Sequence, residues 1–551
     1  MRHPASDPNV RLHPPPAAGV APAVPAVPAV PAACDVLVVG GGINGVGIAR
    51  DLAGRGLSVV LAEREDLAQH TSSASTKLIH GGLRYLEYYE FSLVRKALAE
   101  REGLLRGAPH IMRPLRIVMP HDPSMRPAWM LRAGLFLYDH LAKREMLPGS
   151  NAVDLRRDVT GAALKKHYTK GFVYSDGWVD DARLVVLCAI DAVERGATVL
   201  TRCAVTSAMR GAAGAGWTAT LQSEDGSATT VKARAVVNAA GPWAERFLRE
   251  QAQQQGVKSL RLVKGSHIVV PKLFDHDHAY IFQNPDKRII FVQPYEGDFT
   301  LIGTTDVEHN GAIGAARIDE DEVRYLCEQS SRYFDQPIRP ADVVWSYSGV
   351  RPLIDDESSD AAAVTRDYLL ELDTAGGAPL LNVWGGKLTT FRLLGEEAAD
   401  LLAGPLQAKK AAWTHGAVLP GGDLSRWIGP PNKASRPDAD LRRFVQALQR
   451  RYPVLPEKVL ARWARLYGAR VELLMAGGAP GAEVAPGVYE AELRYLAEHE
   501  WARSADDILW RRTKLGLHLD DAQRARISAW CDEHLAAPGR DGKATLERAW
   551  N

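Results

Sequence analysis

Cysteine is scarce in this chain: five residues in 551, Cys34, Cys188, Cys203, Cys327 and Cys531, all far apart. With no CxxC pair there is no redox dithiol and no cysteine zinc site; no metal is expected, and the five read as small buried hydrophobes in a reducing cytoplasm. Long apolar runs are also missing. None reaches the ~18–20 residues that span a bilayer, so membrane attachment is peripheral at most. A signal-peptide core is excluded as well, because prolines interrupt the Pro-Ala-Val repeats from Ala21 to Pro31. Residues 1–33 read as a polyproline-like or disordered arm outside the fold. Neither sign of charge dominates: 67 Lys and Arg against 66 Asp and Glu. That balance lacks the basic footprint of nucleic-acid binding, leaving Arg511-Arg512-Thr513-Lys514 as a local basic cluster.

What is present is a globular chain, 46% hydrophobic, long enough for two to four domains at roughly 100–200 residues each. Asp35 to Val39 is a short buried-strand pattern, Ile43 to Arg55 has helical spacing, and Leu57 to Ala62 is a second apolar strand. Together they form a β-α-β unit. Ala182–Glu194 reads as a helix and Thr198–Val205 as a strand. Trp217–Gln222 and Thr229–Ala235 read as a hairpin around Asp225-Gly226. Short alternating strands between about 264 and 305 suggest a separate antiparallel sheet. A breaker-rich linker at 421–437 precedes a helical domain, 438–551, in which Ser504 to Asp507 is a helix-start signal.

Gly40, Gly42 and Gly45 lie between the first strand and its helix in GxGxxG spacing. The first glycine permits the turn, the second lets backbone approach a pyrophosphate, and the third lets helix and strand pack. The helix N-terminus offers N–H groups and positive potential to phosphates. Glu63 ends the second strand, placed to accept ribose hydroxyls. No second such turn occurs, since Gly211 to Gly216 does not lie between a buried strand and a helix. With one dinucleotide site, electrons are expected to leave to a quinone, to oxygen or to another protein.

The early position of the glycines, the ending Glu63-Arg64 and the later strand Val236 to Gly241 resemble the glutathione-reductase-like FAD-binding superfamily. Thr71 to Glu87 resembles the signature of FAD-dependent glycerol-3-phosphate dehydrogenases. So do Asn238 to Trp243, Lys264 to His267, Gly303 to Asp306, Tyr347 to Pro352, Gly385 to Phe391 and Leu509 to Gly516. This resemblance covers nearly everything from Asp35 to about residue 535. It implies an α/β fold: a Rossmann-like FAD domain, an interleaved antiparallel-sheet substrate domain (approximately 116–180 and 261–345, within a body spanning 34–420), and the C-terminal helical domain. It implies FAD bordered by Gly40, Gly42, Asn44, Gly45, Glu63, Arg64, Thr71, Ser72, Ser73, Ser75, Lys77, His80, Gly81, Gly82, Val205, Ala240, Gly241, Trp243, Gly386, Lys387, Leu388, Thr389 and Thr390.

For the substrate, the resemblance implies glycerol 3-phosphate, oxidised to dihydroxyacetone phosphate with hydride passing to flavin N5. A phosphate dianion needs convergent cations, and Arg84, Arg351, Arg366 and Lys387 lie in the family-like segments, with Tyr85 and Thr389 as hydroxyl donors. The hydroxyl proton needs a base whose pKa lies near the operating pH. His267 is the first candidate and His80 the second, while Arg351 is placed to stabilise a developing alkoxide. A membrane quinone is the expected acceptor. Met125–Lys143 and Arg95–Arg106 have the basic amphipathic character of bilayer-surface helices, although core packing explains either alone. A cytoplasmic protein, peripheral on the inner face of the membrane and homodimeric, is expected. The alternatives are an oxidase that passes electrons to oxygen, an amine or amino-acid oxidase on the same fold, and a non-catalytic flavin or nucleic-acid binder.

Overall fold

In the computed structural model the described residues are 29–535, apart from 123–125, 213, 256, 355–366 and 433–434. Of the arm expected at 1–33, residues 1–28 lie outside them, as do 536–551, and Ala33 already belongs to the first strand.

The apolar run Ala33–Val39 is the central strand of a parallel sheet, flanked by Val59–Ala62 on one side and Ala228–Asn238 on the other. Thr198–Leu200 and Leu380–Trp384 extend this parallel core outward, and Leu369–Asp373 closes one edge antiparallel. The strands are buried on both faces, which is why they read as continuous apolar runs rather than alternations. Against one face pack three helices, Ile43–Gly54, Asp181–Glu194 and Phe391–Leu406, sharing one core with the sheet. The first and third cross closely, because a Cβ at Gly395 would stand 2.9 Å from the carbonyl oxygen of Gly47.

The expected strand Thr198–Val205 is two strands, Thr198–Leu200 and Cys203–Arg210, separated by Arg202 at φ 51°. The second pairs with Trp217–Ser223, which forms the expected hairpin through Asp225-Gly226 with Ala228–Asn238. Gly211 and Gly216 therefore stand beside the ends of two antiparallel strands and do not open a helix.

Among the described residues the second sheet has ten strands and is antiparallel except where Ala279–Gln283 meets Met112–Pro120. It takes in Trp345–Ile354, which runs alongside Leu260–Pro271 for ten residue pairs, and so draws on more of the chain than 116–180 and 261–345. The C-terminal unit holds the helices Pro437–Arg451, Glu457–Tyr467, Glu490–Glu500 and Asp521–His534 around its own core. Its start signal works as expected: Ser504 Oγ accepts from the Asp507 N–H at 3.2 Å, and the Asp507 carboxylate accepts from the Ser504 N–H at 3.1 Å.

Buried charge joins this unit to the body. Arg183 and Glu500 are both fully buried and paired, and Arg183 also donates to the Leu466 carbonyl at 2.9 Å. All five cysteines are buried and free, with burial pushing the Cys34, Cys188 and Cys531 thiols up to about 12. Arg183→Ala, which strands Glu500 in the interior, is expected to cost about 3–5 kcal/mol. Joint replacement by Met and Leu is expected to cost less, and chemical denaturation midpoints read the difference.

Candidate active site

The glycine turn is built as the chemistry requires. Gly40 has φ 106°, and a Cβ there would lie 2.6 Å from the Ala239 carbonyl oxygen. A Cβ at Gly45 would overlap the Gly40 carbonyl. Gly42 caps the helix with no side-chain bond of its own. Glu63 Oε2 accepts from the Gly41 N–H at 2.6 Å and Oε1 from the Glu65 N–H at 2.8 Å, while desolvation pushes the carboxyl pKa up. Arg64 stacks its guanidinium 4.2 Å from the Trp243 ring. Val205 sits on the strand whose first residue, Cys203, donates to the Glu63 carbonyl at 2.8 Å.

The segment Thr71 to Lys77 threads between the two sheets. Ser72 Oγ accepts from the Ile43 N–H at 3.0 Å, at the helix start. Thr71 donates to the Val350 carbonyl at 2.7 Å, tying the same segment to the second sheet. Ser73 Oγ donates to the His70 carbonyl. Ser75 Oγ and Lys77 Nζ both bond to Asp181, each at 2.7 Å. From the far end of the body, Gly385 and Gly386 return beside the turn: Asn44 Nδ2 donates to the Gly385 carbonyl at 2.9 Å, and a Cβ at Gly386 would stand 2.5 Å from that nitrogen. Ala240 and Gly241 follow the strand Ala228–Asn238, with the Ala240 N–H on Asn238 Oδ1. Two buried oxygens of this region, Asn44 Oδ1 and Thr390 Oγ1, have no partner within the protein. A turn closed to a Cβ at Gly40 and Gly45, a glycine at the helix cap and two orphaned buried oxygens fit a dinucleotide.

The second sheet supplies a floor. Tyr347, His267, Gly303 and Phe291 stand directly opposite one another on successive strands and so share one face. Gly303 makes the row possible, because a Cβ there would overlap the His267 ring. His267 is 1% exposed; its Nε2 lies 3.0 Å from Thr76 Oγ1 and its ring stacks on Tyr347 at 4.8 Å. Nδ1 has no partner within the protein. Burial, and then the cations Arg351 and Lys77, hold its pKa well below the ordinary histidine value. Arg351 shares this face four residue pairs further on; it is ion-paired with Asp306 and donates to Thr304 Oγ1 at 3.2 Å. A Cβ at Gly265 would stand 2.5 Å from the Arg351 guanidinium.

The second cluster lies where Leu78–Ile79 leaves this sheet. His80 donates its backbone N–H to Thr389 Oγ1 at 3.1 Å, and its ring faces Phe291 at 6.4 Å. Gly81 donates to Tyr138 Oη at 2.8 Å, and Gly82 enters the turn Leu83–Tyr88 at φ 77°. Within that turn, Lys387 lies 4.0 Å over the Tyr85 ring, and Arg84 donates to Tyr88 Oη at 3.4 Å. Leu388, Thr389 and Thr390 form the tight turn that follows Lys387. Of the expected substrate residues, His267 and Arg351 fall in the first cluster and Arg84, Tyr85, Lys387 and Thr389 in the second, while Arg366 lies outside the described residues.

Reading the sequence alone missed Thr76, Tyr347, Thr304, Asp306 and Asp181. Tyr347, Thr304 and Asp306 stand inside segments already singled out, but only strand register brings Tyr347 to His267 and only the folded loop after Gly303 brings Thr304 and Asp306 to Arg351. Asp181 carried no local signal at all.

This geometry defines an FAD-dependent oxidoreductase. The family model for "FAD dependent oxidoreductase" matches residues 35–392, and that for the "C-terminal domain of alpha-glycerophosphate oxidase" matches 412–533. A D-erythritol 1-phosphate dehydrogenase of Brucella abortus is 51% identical over 91% of this chain and 98% of its own. A glycerol-3-phosphate dehydrogenase of Pseudomonas aeruginosa is 51% identical over 92% and 96%, and the aerobic enzyme of Escherichia coli 49% over 91% and 97%. The solved glycerol-3-phosphate dehydrogenase of Bacillus halodurans, complexed with FAD, superposes with a TM-score of 0.68 at 26% identity, covering 91% of this chain and 94% of that one. The chain belongs to the FAD-dependent glycerol-3-phosphate dehydrogenase family.

Gly45→Val is expected to yield colourless protein, read by the absent flavin spectrum. Gly303→Ala is expected to keep its flavin yet slow substrate oxidation at least tenfold, because the imidazole must swing away.

Proposed function

We propose that the protein oxidises sn-glycerol 3-phosphate to dihydroxyacetone phosphate and passes the electrons to a membrane quinone. The carrying observation is His267: a buried imidazole kept neutral by its surroundings, on the same sheet face as Arg351. It takes the proton from the substrate hydroxyl at its free Nδ1 or, by exchange with Thr76, at Nε2. Arg351 stabilises the developing alkoxide. Arg84, Tyr85 and Lys387 receive the phosphate, with Thr389 holding the His80 backbone between the two clusters. FAD, when bound, supplies the hydride acceptor at N5.

His80 ranks below His267 as the base. Its ring faces Phe291, whereas that of His267 carries the nitrogen without an internal partner. The relative that acts on D-erythritol 1-phosphate supports a second reading on the same chemistry, with a substrate one carbon longer. The phosphate and carbinol ends of the two substrates need the same groups, so the choice rests on space at the tail.

Of the two basic helices, Arg95–Arg106 belongs to the core. Within Phe91–Gly107, Arg101 is buried against Asp176 at 2.6 Å, and Arg106 is paired with Glu145. The other, observed as Ala128–His140, is different: Trp129 is 70% and Phe136 59% exposed, with Met130 and Leu137 beside them. Tyr89, 79% exposed, continues this apolar surface from the turn that carries Arg84 and Tyr85, and Arg126, Arg132 and Lys143 are on or flank the helix. The buried side of the helix packs against that same turn. No helix among the described residues is long and apolar enough to cross a membrane. An apolar surface with a basic rim, next to the substrate cluster, suits a bilayer face from which quinone is reached. The basic run at 511–514 is spent internally, since Arg511 and Arg512 clamp Asp66 and Lys514 is buried.

Anaerobic addition of glycerol 3-phosphate is expected to bleach the flavin, and D-erythritol phosphate to do so more slowly. Faster bleaching by the tetritol ester moves the assignment to the second reading, and bleaching by neither sinks both. His267→Asn is expected to slow flavin reduction by about 10²–10⁴. The wild-type rate is expected to hold on the acid side of the ordinary histidine range, because burial and the neighbouring cations keep the His267 imidazole deprotonated there. Trp129→Ser with Phe136→Ser is expected to abolish flotation with anionic vesicles while dye-coupled turnover persists.

A further inference from the structure

The segment 507–517 is anchored in the C-terminal core by Ile508, Leu509 and Leu515 and touches both halves of the body. Its backbone is fixed to the FAD half by charge. Arg512 bonds both carboxylate oxygens of Asp66 at 2.8 Å, Arg511 adds a third contact at 2.7 Å, and Arg512 also donates to the Glu500 carbonyl at 2.6 Å. Asp66 stands three residues after Glu63. Between these arginines and the substrate sheet is Trp510, with Gly516 packed so closely that a Cβ there would lie 2.6 Å from the indole.

From Trp510 an unbroken row of rings leads to the proposed base. Its indole stacks on Trp345 at 4.9 Å and 19°. Trp345 lies 5.1 Å from Tyr347, and Tyr347 stacks on His267 at 4.8 Å and 17°. Trp345 and Tyr347 are two apart on one strand, so both stand on the face that carries His267. Tyr347 is pinned at its far end, where its hydroxyl donates to the Ser75 carbonyl at 2.8 Å. Its ring also lies 5.1 Å below Lys77 Nζ. Leu517 joins Trp345 and Tyr347 in the same apolar cluster with Val269, Tyr295 and Leu301.

We infer that Trp510 of the C-terminal domain is a positioning residue for His267, acting through Trp345 and Tyr347 to hold the imidazole edge-on to Thr76 and its free nitrogen toward the substrate. The sheet fixes the backbones of Trp345 and Tyr347, while the indole stacked on Trp345 bears on the plane of the outermost ring. A base must be held close to its productive geometry by neighbours whose own rotamers are locked. Aromatic pairs supply such locking with modest energy and strict geometry. The inference rests on His267 being the base, and it assigns the C-terminal domain a part in the chemistry.

The test is stopped-flow flavin reduction by glycerol 3-phosphate in the FAD-loaded full chain, across pH, for Trp510→Ala, Trp510→Phe, Trp530→Ala and His267→Asn. The charged and titratable groups facing His267 are Arg351 with its partner Asp306, Lys77 with its partner Asp181, and Tyr347; none is altered in the Trp510 variants. Trp510→Ala is expected to slow saturating reduction roughly tenfold, to leave the substrate concentration for half-saturation within about twofold, and to move the acid limb to higher pH as water reaches the imidazole. Trp510→Phe, which keeps a ring, is expected to restore rate and acid limb. Trp530, buried in the same C-terminal core but stacked on His534 rather than on this row, serves as the control: its alanine variant is expected to melt earlier and react at the wild-type rate.

Wild-type rate and acid limb in Trp510→Ala, with His267→Asn slow, overturn the inference alone. Equal slowing by Trp530→Ala overturns it as well, by showing general loosening. A fast His267→Asn removes the base assignment and the positioning role with it. Should Trp510→Ala fail to fold, Trp510→Leu, which fills the space without a ring, must reproduce the slow rate and shifted limb, or the inference fails.

Discussion

The ion pair between Lys77 and Asp181 is the tie on which the site depends. Both side chains are essentially inaccessible to solvent, and they meet at 2.7 Å. Asp181 opens the helix Asp181–Glu194, so its carboxylate is fixed by the parallel-sheet core, while Lys77 ends the threading segment at φ 58°. Burying two charges costs several kcal/mol per ion before their attraction is counted, so such a pair is a poor means of gaining stability. Its use is to determine where Thr71 to Thr76 runs. From that one path Ser72 reaches the glycine helix, Thr71 reaches the second sheet, and Thr76 meets His267. Cofactor cradle and base are thereby held in common register.

Glycine performs the complementary task. In the first sheet Gly40 and Gly45 let a helix and two strands converge; in the second, Gly265, Gly303 and Gly349 clear a row of side-chain positions. At Gly349 a Cβ would stand 2.8 Å from that of Ala74, in the segment laid across the floor. The floor is flat where backbone from the other half must lie on it, and bears rings and charge only where chemistry is needed.

How much of this could be read from the chain follows from the range of each interaction. The β-α-β unit, its glycines and Glu63 were legible because they are local: strand, turn, helix and acid follow one another within thirty residues. The hairpin at Asp225-Gly226 was legible for the same reason. The strand expected at Thr198–Val205 breaks at Arg202, where a positive φ on a non-glycine residue left no trace in composition. Of the two basic helices, burial and not periodicity separated the core-packed one from the exposed one. Tyr347 and Asp306 owe their roles to pairing across strands far apart in sequence, and Trp510 to contact between domains. Lys514 and Arg512, which read as a basic surface cluster, are buried because a carboxylate 446 residues away lies beneath Arg512.

That separation also bears on how the chain is made. Asn44 completes its contact with Gly385 only when 341 further residues have appeared. Helix Phe391–Leu406, which crosses the glycine helix at Gly47, comes later still. At the ~5–20 residues per second of synthesis, the first β-α-β unit leaves the ribosome roughly 20–70 s before the elements that close its pocket. For that interval the nascent chain displays one side of a nucleotide cradle and an uncovered helix face. The contacts that close the cradle can form only once translation has passed residue 390.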